Sequence, residues 1–286
     1  MNKLTTNQKV AIELGMRQRK GLIRQTIRMA KKVKSTTAKY VDQLIAGPSG
    51  TGKSFNILKT LRSQGLQFFE MTGNASIFGF MGNLLYLHSQ KPKGKKLVIF
   101  LDDCDFLFEP KNINILKNLT ATDPQDRKFQ YTKAVNEKQF SDAQQHVLPN
   151  YLNEGTHGLT IPCDEFVFVI ASNIELYDET QLSGLTASQK KTAEHHLAIR
   201  GRMKPYDFKL TKDEKWGWIY DAGMNDGALD MLAKKADKLF LLNWMWSNWD
   251  QMKETSIRTI EKMAEDMIED PSDFVEYWEL DYLVKL

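Results

Sequence analysis

Short apolar runs alternate with amphipathic stretches along much of the chain. The apolar runs predict four strands, at residues 40–46, 66–71, 97–101 and 166–172. The last two runs are almost wholly apolar, which is typical of strands buried on both faces of a parallel sheet. Residues 53–63 and 81–89 have the apolar spacing of helices. Strands that alternate with helices predict an α/β fold with a parallel sheet and right-handed crossovers.

The two ends of the chain have a different pattern. Residues 7–34 place apolar side chains among many basic ones, which predicts one or two helices broken near Gly21. After about residue 211 the segments are helix-like and rich in Trp, Met and Lys, so we expect a domain boundary near residue 210. All six tryptophans lie beyond this boundary, where they either fill a small helical core or stack on nucleic-acid bases.

A glycine-rich segment, GPSGTGKS, follows the first predicted strand and precedes a predicted helix. Its spacing fits G-x-x-x-x-G-K-[ST], in which backbone N–H groups surround a phosphate, the lysine reaches the outer oxygens and the hydroxyl binds Mg²⁺. We expect the whole segment to bind ATP, with Ser54 also a metal ligand. Its residues are Gly47, Pro48, Ser49, Gly50, Thr51, Gly52, Lys53 and Ser54.

Carboxylates follow the third predicted strand directly, at Asp102, Asp103 and Asp105. Beside a phosphate loop, Asp102 is suited to hold the water shell of Mg²⁺ and Asp103 to orient and polarise an attacking water. Acids here can also simply mark the exit of a buried strand to solvent. The glycine loop upstream favours the functional interpretation.

These motifs resemble those of the AAA+ ATPase family, in the expected order. The segment GPSGTGKS matches the Walker A motif, and LVIFLDD, ending at Asp103, matches Walker B. The segment FVFVIASN resembles the strand that ends in the sensor 1 residue, which is Asn173 here.

Two later segments extend the resemblance. The segment IRGRM, residues 199–203, is similar to the arginine-finger segment, where Arg202 aligns better than Arg200. We expect this arginine on a loop after the fifth strand. The segment SIRTIEKM, residues 256–263, is similar to the sensor 2 helix, with Arg258 as the sensing arginine.

The resemblance covers about residues 40–265 and implies a parallel-sheet P-loop NTPase (AAA+) domain with a C-terminal helical lid. The expected parts are a basic helical segment at 1–34, the nucleotide-binding domain at 35–210, the lid at 211–270 and an acidic tail at 271–286. It further implies ATP and Mg²⁺ bound at the subunit interfaces of a ring or spiral, with six subunits expected. The single-module build resembles that of small phage-encoded members.

Most active family members have a glutamate where this chain has Asp103. Aspartate is shorter by one methylene group, which sets the water-polarising carboxylate further back. The resemblance also implies a substrate-gripping pore loop at residues 72–82, where Phe78-Gly79 or Phe80-Met81 would contact an extended chain. The same apolar residues could instead be core residues of the next helix. Residues 119–160 form a long and mostly polar connection, which is usually functional or mobile.

Composition and charge narrow the class of protein. The chain has 286 residues, of which 42% are hydrophobic and 26% are charged, as in ordinary globular proteins. With two distant cysteines, no apolar run long enough for a membrane span and no secretory leader, a cytoplasmic location is expected.

The net charge of +3 hides an asymmetry. Residues 1–40 have eleven Lys or Arg against one acid, and residues 261–286 have nine acids against two lysines. A basic N-terminal segment and an acidic C-terminal segment favour either a nucleic-acid contact or attraction between neighbouring subunits.

Three functions fit these observations. The first is an ATPase that remodels a protein or a protein–nucleic acid assembly. The second is a DNA-replication accessory, such as a helicase or clamp loader, that contacts DNA through the basic N-terminal segment. The third is a nucleotide-switched scaffold that hydrolyses slowly because of Asp103.

Overall fold

The structure is a computed structural model that describes residues 4–35, 41–73, 76–155 and 158–284. Tyr40 of the first predicted strand, and Asn74 and Ala75 of the predicted gripping loop, lie outside the described residues. The chain forms two compact units. The helical unit comprises Met1–Arg24, Pro48–Asn56 and Phe208–Leu286, and the sheet unit comprises Gln25–Gly47 and Ile57–Asp207.

Ten α-helices and seven strands are present in the described residues, besides short 3₁₀ helices. The helices are α1 (Thr6–Val33), α2 (Lys53–Ser63), α3 (Ile77–Gln90), α4 (Ile113–Leu119), α5 (Asp142–Val147), α6 (Ala187–Arg202), α7 (Lys212–Asn225), α8 (Lys235–Asn248), α9 (Ile257–Glu269) and α10 (Phe274–Tyr282). The strands are β1 (Gln43–Ala46), β2 (Phe68–Thr72), β3 (Leu97–Asp102), β4 (Lys128–Tyr131), β5 (Leu159–Pro162), β6 (Phe166–Ser172) and β7 (Lys204–Asp207).

The centre of the sheet unit is a five-stranded parallel sheet with the order β2-β3-β6-β1-β7. The apolar runs at 97–101 and 166–172 form β3 and β6, and their side chains are almost all buried. The predicted α/β class with a parallel sheet is therefore confirmed. Because neighbouring parallel strands end at the same edge, the polar residues that follow β3 and β6 are brought to one side of the sheet.

The connection at 119–160 is largely structured in the described residues. Strand β4 pairs with β5 in an antiparallel two-stranded sheet, and Phe129 and Leu148 are buried in the main core. Arg127, just before β4, donates two hydrogen bonds to the carboxylate of Asp42, at 2.7 and 3.0 Å. Asp42 also accepts a bond from the backbone N–H of Phe168. This buried pair fixes the connection to the sheet.

Of the two alternatives for the predicted gripping residues, the structure favours a place in the core for Phe80 and Met81. Ser76 caps the N-terminus of α3, and Phe80 and Met81 in its first turns are fully buried. The ring of Phe78 packs edge-on against Tyr131, with 5.4 Å between the ring centroids. The helix begins four residues earlier than the predicted bound of 81, because these apolar side chains are needed to cover the sheet.

The helical unit buries Trp216, Trp218 and Trp278 completely, which supports the prediction that the tryptophans fill a helical core. The first turns of α1 also belong to this unit. Helices α1 and α7 cross at Gly15 and Gly217, where a Cβ atom on either glycine would collide with the backbone of the other helix. The predicted break near Gly21 is absent, since α1 is continuous from Thr6 to Val33.

Candidate nucleotide-binding site

The glycine segment forms a loop between β1 and the N-terminus of α2. The backbone N–H of Gly47 donates to the carbonyl of Ser172, which continues the pairing of β1 with β6. Gly50 and Gly52 both have φ of +69°, a region that L side chains adopt only with strain. Lys53 and Ser54 form the first turn of α2, where helix N–H groups and the helix dipole favour an anion.

The loop is closed by its own polar groups. The Nζ of Lys53 donates to the carbonyl of Pro48 at 2.7 Å, and the hydroxyl of Thr51 donates to the same carbonyl at 3.0 Å. Lys53 is only 6% exposed, whereas Pro48 and Ser49 are exposed and Ser54 is half-buried. The ammonium group is therefore held against the first residues of the loop.

Helix α9 begins directly against this loop. The backbone N–H of Ile257 donates to the carbonyl of Gly50 at 3.0 Å, and a Cβ atom on Gly50 would lie 2.5 Å from the Cβ of Ser256. Ser256 caps the helix by accepting from the N–H of Thr259. Arg258 follows in the first turn and is exposed. The predicted sensor arginine thus lies one residue from a residue that contacts the phosphate loop.

The carboxylates follow β3 at the edge where β6 also ends. Asp103 donates its backbone N–H to Ala171 at 3.1 Å, and its Oδ1 accepts from the Nδ2 of Asn173 at 2.7 Å. Both side chains are exposed, and the half-buried Asp102 precedes them at the last position of β3. The structure therefore brings together the two residues that the sequence proposed as water-polarising acid and sensor 1.

Asp103 has a left-handed backbone, with φ of 53°, and no other non-glycine residue in the described ranges does. Asp and Asn tolerate this region better than most residues do, although it still costs roughly 1–3 kcal/mol when the surroundings enforce it. Such strain is concentrated at functional sites. The turn aims the carboxylate of Asp103 towards Asn173 rather than along the strand.

Asp105 and Ser172 extend this edge and were not predicted as site residues. The hydroxyl of Ser172 donates to Oδ1 of Asp105 at 2.7 Å and accepts from the N–H of Ile174 at 3.0 Å. This pair holds the turn after β3 against the end of β6. Cys104 lies between the acids but is buried. Burial and the carboxylates around it raise the pKa of its thiol to about 12, so it is poorly suited to act as a nucleophile.

Arg200 and Arg202 lie in the last turn of α6, just before β7, so the expected loop after the fifth strand is wrong. Arg200 forms a two-pronged ion pair with Asp207, at 2.8 and 2.6 Å. Arg202 donates to the carbonyl of Ala198 and lines a cleft of about 400 Å³, together with Asp123 and others. Arg200 is therefore bound within the chain, while Arg202 faces an open cleft.

Within the described ranges, no group of three or more His, Cys, Asp or Glu side chains is arranged to hold a metal ion. Nor does any helix there have the length and apolar character needed to cross a membrane.

No protein-family model matches the chain, and no curated protein matches it. Among solved structures the chain is similar to Hsp104, in a closed-state cryo-EM reconstruction with ATPγS and FITC casein. The sequence identity is 12% and the TM-score 0.48. The match covers 90% of this chain but 45% of that chain, so this protein spans less than half its length. A likeness this distant carries no functional assignment, which has to rest on the geometry of the site.

Proposed function

We propose that this chain is an ATPase of the AAA+ type that binds ATP together with Mg²⁺. The observation that carries the proposal is the geometry of residues 47–54, a loop with two left-handed glycines that leads from a buried parallel strand into a helix N-terminus. Backbone N–H groups, the helix dipole and the ammonium of Lys53 all favour a polyphosphate at this place.

The residues present also fit Mg²⁺. By their places in the two sequence motifs, Ser54 and Asp102 would be its protein ligands. Mg²⁺ in nucleotide sites typically takes few protein ligands, with water and phosphate oxygens as the rest. The lack of a larger ligand cluster in the described residues is therefore compatible with this metal. When bound, Mg²⁺ would neutralise charge that develops on the phosphates.

Asp103 is the proposed general base, and Asn173 its positioning partner. The hydrogen bond of 2.7 Å from Asn173 leaves the second carboxylate oxygen of Asp103 able to accept a proton from water. Both side chains are exposed, so water reaches them without a conformational change. The amide of Asn173 fixes the direction of the carboxylate, which matters because its short side chain has little reach.

The two arginines have different proposed roles. Arg258 would contact the nucleotide within its own chain, because α9 begins on the phosphate loop. Arg202 would act on the nucleotide of a neighbouring subunit in a ring or spiral, expected to be a hexamer. Arg200 is the weaker candidate, because its guanidinium already pairs with Asp207.

The work performed with ATP is proposed to be remodelling of a protein or a protein–nucleic acid assembly. A specific observation favours the nucleic-acid alternative. Five exposed cations recur on one face of α1 at spacings of three and four residues, and we call this face the basic stripe. Its members are Arg17, Lys20, Arg24, Arg28 and Lys31. In a helix such spacing places the five charges in one row of roughly 20 Å.

Lys53→Ala tests the proposed ATP site. The mutant should lose binding of Mg²⁺–ATP, measured by isothermal titration calorimetry, because Lys53 is the only cationic residue among residues 47–54. Lys59→Ala is the matched control, since Lys59 is exposed on the same helix and should bind normally. Wild-type affinity in Lys53→Ala, or no ATP binding by the wild type, would refute the proposal.

The basic stripe is tested by the triple variant Lys20→Gln, Arg24→Gln and Arg28→Gln. The control variant loses the same number of positive charges elsewhere, by changing the exposed Lys133, Lys138 and Lys190 to glutamine. If the stripe contacts DNA phosphates, affinity for single-stranded DNA should fall and the salt slope should decrease by up to about three. Sedimentation of the same variants separates this from an assembly role. If the wild type binds no DNA and the triple variant forms a smaller oligomer, the stripe instead contacts the acidic C-terminal residues of a neighbouring subunit.

A further inference from the structure

The buried face of α1 contains a charged residue whose contacts converge on the phosphate loop. Arg19 is 9% exposed, and its guanidinium forms ion pairs with Asp221 of α7 and with Asp226 just beyond it. The third nitrogen, Nε, donates to Oδ1 of Asn56 at 3.0 Å. One planar group thus satisfies three acceptors in three directions, which a lysine ammonium does not reproduce.

Asn56 passes this contact on to the loop. Its Nδ2 donates to the carbonyl of Gly52 at 2.8 Å, and its backbone N–H donates to the same carbonyl at 3.0 Å. Both ends of the amide are used, so its orientation follows from its partners. The side chain is 3% exposed. Gly52 immediately precedes the lysine of the loop, and its carbonyl therefore helps to fix the peptide that starts α2.

The same glycine is enclosed from other sides. A Cβ atom on Gly52 would lie 2.9 Å from Cδ1 of Ile257, 3.6 Å from Nδ2 of Asn56 and 3.9 Å from Nε1 of Trp218. Residues from α2, α7 and α9 thus surround this peptide, and Arg19 adds α1 to them through Asn56. The left-handed conformation of Gly52 is held by packing on these sides rather than by the loop alone.

We propose that Arg19 is a positioning residue for ATP binding, which acts through Asn56 to hold the Gly52–Lys53 peptide in its phosphate-binding conformation. The inference rests on the proposed ATP site. It assigns the N-terminal helix a part in nucleotide affinity, in addition to whatever its exposed face contacts. A role limited to stability would need only charge balance with Asp221 and Asp226, and it would leave nucleotide affinity unchanged in any variant that folds.

The test is a double-mutant cycle on binding of Mg²⁺–AMP-PNP, with Arg19→Lys, Asn56→Ala and the combination. Arg19→Lys keeps the charge but loses the bond to Asn56, and Asn56→Ala removes the relay without changing charge. Each should raise Kd by about tenfold, the size expected for a lost hydrogen bond to a charged group. The combined variant should be within about twofold of the worse single variant, because both changes break one chain of contacts.

Arg62→Lys is the matched control, since Arg62 is exposed on α2, the helix that also contains Asn56, and should bind as the wild type does. Thermal unfolding without nucleotide shows which variants fold. If Asn56→Ala folds and binds within about twofold of wild type, or if the two effects multiply, the relay is overturned. If Arg19→Lys does not fold, Asn56→Ala decides alone. A wild type that fails to bind Mg²⁺–AMP-PNP would instead overturn the ATP site itself, and the relay with it.

Discussion

Replacing Asp103 with asparagine isolates the charge of this side chain from its other roles. The two side chains have the same shape, and asparagine still offers an oxygen to Nδ2 of Asn173. The backbone φ of 53° is one that asparagine adopts as readily as aspartate. The bond from the backbone N–H to Ala171 is also kept. The negative charge is lost, and with it the ability to accept a proton from water.

The expected size of the effect follows from these contacts. ATP turnover should fall by about 100- to 10,000-fold, the range for loss of a general base. The free energy of unfolding should change by less than about 0.5 kcal/mol, as for other exposed positions. Asp103→Glu should behave differently. Glutamate gains little from local hydrogen bonds in the left-handed region, so stability should fall by about 1 kcal/mol without a gain in turnover. This backbone favours aspartate over glutamate at position 103.

Three measurements on the same preparations check this reasoning: phosphate release at saturating ATP, calorimetric titration with Mg²⁺–AMP-PNP, and thermal unfolding. Turnover by the Asp103→Asn variant within about threefold of wild type would refute the role of general base, since such a loss is far below the usual range. Equal loss of stability in Asp103→Asn and Asp103→Glu would refute the argument from the backbone.

Further outcomes follow from other contacts. Arg202→Ala should keep ATP binding but lower turnover by about 1000-fold or more, if Arg202 acts on the nucleotide of a neighbouring subunit. Mixing this variant with Asp103→Asn should restore some phosphate release. Wild-type turnover by Arg202→Ala at saturating protein would exclude the role of Arg202. Arg127→Met leaves the carboxylate of Asp42 buried without its partner, and should lower the free energy of unfolding by about 3–5 kcal/mol in urea titrations; an unchanged midpoint would contradict this. Burial raises the pKa of Cys104 to about 12, so iodoacetamide at pH 8 should label it only after unfolding, as followed by mass spectrometry. Labelling of the native protein should become faster as the pH rises towards that pKa. Rapid labelling of the native protein at pH 8 would contradict this.

Much of the sheet and the phosphate loop could be predicted from local pattern. The apolar runs at 97–101 and 166–172 predict buried strands, and the glycine spacing of 47–54 predicts a phosphate-binding loop. Gly21 was misleading because a glycine lowers helix propensity by only about 1 kcal/mol, and the buried Leu22 and Thr26 outweigh that cost.

The rest depends on contacts between residues that are distant in sequence. Asp103 and Asn173 are 70 residues apart, and Arg19 and Asp221 are 202 residues apart. Neither pairing leaves a periodic signal. The left-handed turn at Asp103 was equally invisible, because aspartate is common in ordinary loops as well.

The crossing of α1 and α7 at Gly15 and Gly217 affects how this protein can vary over time. At that point backbone meets backbone, so no residue with a side chain fits on either helix unless the helices separate. The exposed face of α1, by contrast, can exchange one cation for another, or lose one, without disturbing that contact. The two faces of this helix are therefore constrained differently: the inner face by backbone contact at the two glycines, and the outer face only by what its charges bind. Related chains should keep small residues at both glycine positions even where the residues of the basic stripe differ. Deleting the N-terminal residues would remove part of the helical unit.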